Sequence, residues 1–91
     1  MSPREQVQSM VAGWITDHRQ FNAPYGVLEG LQSLKSGGKV RTITFGICRT
    51  LDATLFIFSP TNLKLHTSQG DWSFKSVEEF QRHCAETWGV K

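Results

Sequence analysis

Residues 39–75 read KVRTITFGICRTLDATLFIFSPTNLKLHTSQGDWSFK, and apolar side chains recur through most of them at every second position. That is the period of a strand with one buried face. Lys39 to Cys48 is expected as a first strand, with Ile43, Phe45 and Ile47 on one face and Thr42, Thr44 and Gly46 on the other. Arg49-Thr50-Leu51-Asp52 supplies a turn. Ala53 to Phe58 follows as a strand apolar on both faces at its centre, as interior strands are. Ser59-Pro60-Thr61-Asn62 is a second turn, with proline pre-setting its φ angle. Leu63 to Thr67 alternates again, Ser68-Gln69-Gly70-Asp71 turns the chain, and Trp72 to Lys75 completes a four-stranded antiparallel meander.

On either side of the meander the spacing becomes helical. Ser2 is a cap, Pro3 suits the first turn, and Glu5 is placed to reach back to the cap amide. Val7, Met10, Val11, Trp14, Ile15 and His18 then form one stripe, ending near Arg19. A second helix is expected from a cap at Asn22, with Val27, Leu28, Leu31 and Leu34 as its stripe and Ser36-Gly37-Gly38 as its stop. Gly13 and Gly30 would then be the positions where the two helices approach each other. After the strands, Ser76 and Glu79 make a second capping box, and Val77, Phe80, Cys84 and Trp88 line the last helix. The expected order is ααββββα, an α+β chain forming a single compact domain over residues 1–91.

Length and composition agree. Leu, Ile, Val and Phe make up 23 of the 91 residues, too many for a disordered segment, and the chain is too short for a second core. No stretch approaches the ~20 apolar residues of a membrane span. Nor does Met1 to Gln6 open a secretory signal. The expectation is a complete stand-alone cytoplasmic protein with Cys48 and Cys84 as free buried thiols. A single Cys48–Cys84 bridge is the alternative.

The net charge is +2, and its distribution matters more than its size. Residues 1–38 are neutral and residues 76–91 carry −1, so the strand region 39–75 carries +3. If Ile43, Phe45, Ile47, Leu63, Leu65, Trp72 and Phe74 face the helices, the opposite sheet face shows Thr42, Thr44, Lys64, His66, Ser73 and Lys75. It also shows either Phe56 and Phe58 or Leu55 and Ile57. Either pair sets two large apolar groups in a polar, basic surface, which a monomer rarely leaves unused. A helix covers that face, or the face is open to a partner. A second candidate is a polar rim of Arg49, Thr50 and Asp52 beside Ser68, Gln69 and Asp71, where the first and third turns emerge together.

Catalytic and metal chemistry find no foothold. His18, His66, His83, Cys48 and Cys84 lack metal-ligand spacing, and His83 reads as a surface partner of Glu79. Cys84 with His66 fails as a nucleophile pair because Cys84 holds a core position. Ser36-Gly37-Gly38-Lys39 runs from helix to strand, the reverse of a phosphate loop. Neither an enzyme nor a cofactor nor membrane binding is expected.

The expected function is therefore contact with another protein, as an accessory subunit, regulator or inhibitor, a class that includes phage-encoded antagonists of host systems. The expected contact residues are Arg41, Phe56, Lys64, His66 and Lys75 on the sheet, with Arg49, Asp52 and Asp71 at the rim. The alternative is single-stranded nucleic acid, stacked on Phe56 or Phe58 and held by the same lysines. It ranks second because the charge is low for a nucleic-acid binder. A homodimer through the sheet face or an edge strand is compatible with either.

Overall fold

The computed structural model describes residues 2–19, 28–47 and 51–90. Helix α1 (Pro3–His18) precedes five strands, β1 (Leu28–Gly37), β2 (Val40–Ile47), β3 (Leu51–Ser59), β4 (Asn62–Thr67) and β5 (Gly70–Phe74), and helix α2 (Val77–Trp88) follows. The strands form one antiparallel sheet in the order β1-β2-β3-β4-β5. The α+β class and the meander stand, with five strands and two helices among the described residues.

The expected second helix is a strand over its described part. Leu28, Leu31 and Leu34 pair with Ile47, Phe45 and Ile43, while bulges interrupt the register between Leu28 and Gly30 and between Leu31 and Ser33. Each bulge adds one residue to the strand and turns a spacing of two into three. Three leucines that share one sheet face, Leu28 buried, Leu31 partly buried and Leu34 exposed, therefore stand three apart, which imitates a helical stripe. Gly37 pairs with Val40 across a two-residue turn, and Gly38 adopts φ +56°, the left-handed region that tight hairpins require. The glycines thus close a hairpin and stop no helix. Gly30 pairs with Gly46 in the sheet, and nothing lies within 4 Å of a Cβ built on Gly13, so the two do not meet. The proposed cap Asn22 lies outside the described residues.

The other boundaries shift by less. Leu51 and Asp52, expected in a turn, already belong to β3, opposite Ile47 and Gly46. Cys48, Arg49 and Thr50 lie outside the described residues.

Both helices pack on the same side of the sheet. Val7, Val11 and Ile15 of α1 and Phe80 and Cys84 of α2 enter one core with Ile43, Phe45, Leu55, Ile57, Leu63 and Leu65. Phe80 is its hub: its ring meets Trp14, Phe45 and Phe74 edge to face at centroid distances of 5.7, 6.2 and 5.7 Å. At the end of α2, Gly89 takes φ +71° and donates its N–H to the Ala85 carbonyl. Val90 is thereby turned back into the core.

Polar side chains fasten α1 to the first hairpin. Gln8, outside the expected apolar stripe, is buried, and its amide donates to the carbonyls of Lys35 and Thr42 at 3.0 and 3.1 Å. Its carbonyl accepts from Arg41 at 3.2 Å, and Arg41 also pairs with Glu5 at 2.8 Å. Ser2 caps α1 as expected, accepting from the Glu5 amide. The Glu5 carboxylate, however, is turned to Arg41 rather than back to the cap, because β2 offers it a cation.

Candidate interaction face

The second sheet face carries no helix or strand among the described residues. Parity settles the alternative at its centre. Leu55 and Ile57 are fully buried beneath the helices, so Phe56 and Phe58 point outward. Their rings stack at 6.4 Å with an interplanar angle of 22°, and Phe58 retains 40% exposure.

Register places the neighbours of this pair. One cross-strand row runs Lys35, Thr42, Phe56, Lys64, Ser73. The next runs Ser33, Thr44, Thr54, His66, Asp71, in which His66 Nδ1 and Asp71 Oδ1 are hydrogen-bonded at an exposed position. A third joins Gly30, Gly46 and Asp52. Gln32 donates to Asp52 at 3.1 Å. Glu29 and Gln32 lie over Gly46, close enough that a Cβ there would meet the Glu29 carboxylate at 3.2 Å. Charge therefore separates along the strands. Lys35 and Lys64 surround the phenylalanines at one end, and Glu29, Asp52 and Asp71 stand toward the other.

The sequence-derived candidates divide accordingly. Phe56, Lys64, His66, Asp52 and Asp71 share this face. Lys75 is exposed just past β5, at the lysine end, and its backbone N–H donates to Glu79 at 2.8 Å. Arg41 stands on the opposite face. It has the parity of Ile43, and its charge is taken up by Glu5 and Gln8. Arg49 lies outside the described residues. The structure adds Lys35, Glu29 and Gln32, hidden in the sequence by the helical reading of residues 22–36. The Gly37-Gly38 dipeptide before an alternating run was the signal that could have revealed them.

The other histidine expectation needs correction. His83 does not partner Glu79; its ring is half-buried among Trp72, Phe74 and Trp88, at 4.7, 5.4 and 5.2 Å. Burial lowers its pKa below 6.5, and the Glu86 carboxylate opposes this only in part. His18 closes α1 as expected, its Nδ1–H donating to the Trp14 carbonyl at 2.8 Å. Cys84 is a fully buried free thiol whose pKa burial pushes up to about 12. Among the described residues, no three His, Cys, Asp or Glu side chains converge as metal ligands, and no helix is long and apolar enough to cross a membrane.

No protein-family model, curated protein or solved structure matches the chain.

Proposed function

We propose that the chain is a small non-enzymatic binding protein, acting by protein–protein contact through the uncovered sheet face. The observation that carries this reading is the outward-facing Phe56–Phe58 pair, set among Lys35, Lys64 and Thr42 while two helices share the opposite face. An apolar group rimmed by charge is the common anatomy of a protein-binding patch. Cytoplasmic action as an accessory subunit, regulator or inhibitor fits this reading.

Single-stranded nucleic acid is the second reading, favoured by one feature: Lys64 lies directly across from Phe56, so a base stacked on the ring would bring its phosphate toward the lysine. The three acidic groups on the same face weigh against it.

Affinity capture from a native lysate, comparing wild type with a Phe56→Ser/Phe58→Ser variant, tests the first reading. One dominant protein species, lost with the variant, is the expected result. Co-purifying 260 nm absorbance, with affinity falling steeply as salt rises and lost on Lys64→Glu, would replace it with the second.

A further inference from the structure

We propose that the occupant of the uncovered face is a second copy of this chain, docked sheet to sheet about a twofold axis that runs across the strands. This rests on the protein-binding reading and names its partner. Charge complementarity across the face favours this occupant. Lys35 and Lys64 share one cross-strand row, while Glu29 and Asp52 lie two rows away, at the other end of the same face. A twofold axis parallel to the strands would set lysine rows against each other. An axis across the strands reverses one copy end for end. It then sets Lys35 of β1 against the second copy's Glu29 on the same strand and brings Lys64 of β4 within one strand spacing of its Asp52 on β3, and symmetry makes both contacts twice.

The middle of the face permits the approach. Ser33, Thr44 and Thr54 are short, and stacked sheets need a separation of about 10 Å. Five strands at about 4.8 Å and three side-chain rows at about 7 Å give roughly 400–500 Å² of plan area per copy. Two copies together then bury about 800–1,000 Å², at the lower limit of about 1,000 Å² where specific association begins. The dimer is accordingly weak, and charge decides its geometry.

Charge-swap complementation followed by analytical ultracentrifugation tests this. Wild type is expected to show a concentration-dependent monomer–dimer equilibrium that weakens about tenfold when salt is raised enough to screen surface charge. Lys35→Glu/Lys64→Glu has two acidic ends and Glu29→Lys/Asp52→Lys has two basic ends, so each alone is monomeric and their mixture forms a heterodimer. The wild-type salt response stands even if a swapped chain fails to fold. Wild type that stays monomeric at low salt overturns the proposal, as does a dimer indifferent to salt or to both swaps. If wild type is monomeric yet lysate capture of another protein depends on Phe56 and Phe58, the binding reading survives and only the second copy is excluded.

Discussion

Trp14 of α1 and Phe80 of α2 meet edge to face, 5.7 Å between ring centroids, although 66 positions separate them in the chain. This contact ties both helices to one side of the sheet and so leaves the other side without a helix among the described residues. Phe80→Ala should cost about 3–5 kcal/mol, because it empties the fully buried hub of the core. Trp14→Ala should cost less, and the double variant should fall short of the sum by about 0.5–1.5 kcal/mol. Urea titration of the three variants measures the coupling.

Gln8 and Glu5 both hold α1 to the first hairpin, but at different strengths. Gln8 is buried and serves two backbone carbonyls and Arg41. Gln8→Leu should therefore cost about 1–3 kcal/mol, with little response to salt. Glu5 pairs with Arg41 while 41% exposed, so Glu5→Gln should cost less than about 1 kcal/mol and its effect should fade as salt rises. Denaturant midpoints at low and high salt separate the two.

His83 makes stability depend on pH in a predictable direction. Its pKa is lowered in the folded state, so below its ordinary value of 6.5 the unfolded chain binds the proton more readily. The stabilising contribution is fully present above pH 6.5 and is lost as pH falls through the lower folded value. A His83→Phe variant should lack this component while keeping any acid response of the carboxylates. Thermal melts between pH 7.5 and 5 check it.

The fold was legible wherever the strand period ran unbroken. From Thr42 to Phe74 the alternation of apolar residues identifies the strands and places Phe56, Lys64 and His66 on one face once Leu55 and Ile57 are known to be buried, whereas Asp71, read as a turn residue, belongs to β5. It failed in β1, where two bulges reset the period and made Leu28, Leu31 and Leu34 look helical. Lys35 and Glu29 were lost with that strand, and with them the charge segregation of the face. Arg41 was legible in principle, since it shares the parity of Ile43. The surroundings of His83 were not, because its ring neighbours are Trp72 and Phe74 of β5 and Trp88 near the end of α2.

Cys84 should be chemically silent in the folded protein. Its pKa of about 12 keeps the thiol protonated at neutral pH, and full burial denies access to reagents. In a Cys48→Ser background, reaction with a disulfide reagent should wait for unfolding and follow the denaturant transition. Rapid labelling without denaturant would mean that α2 leaves the core far more readily than this packing allows.

On the proposed reading, the chain meets its partner at the sheet face opposite the helices. Photo-crosslinking from that face tests it most directly, with p-benzoylphenylalanine in place of Phe58 and, as a control, in place of the exposed Asp17 on α1. The predicted result is a discrete protein adduct from position 58 and none from position 17, at twice the chain's mass if the partner is a second copy. Adducts from position 17 alone would contradict the account.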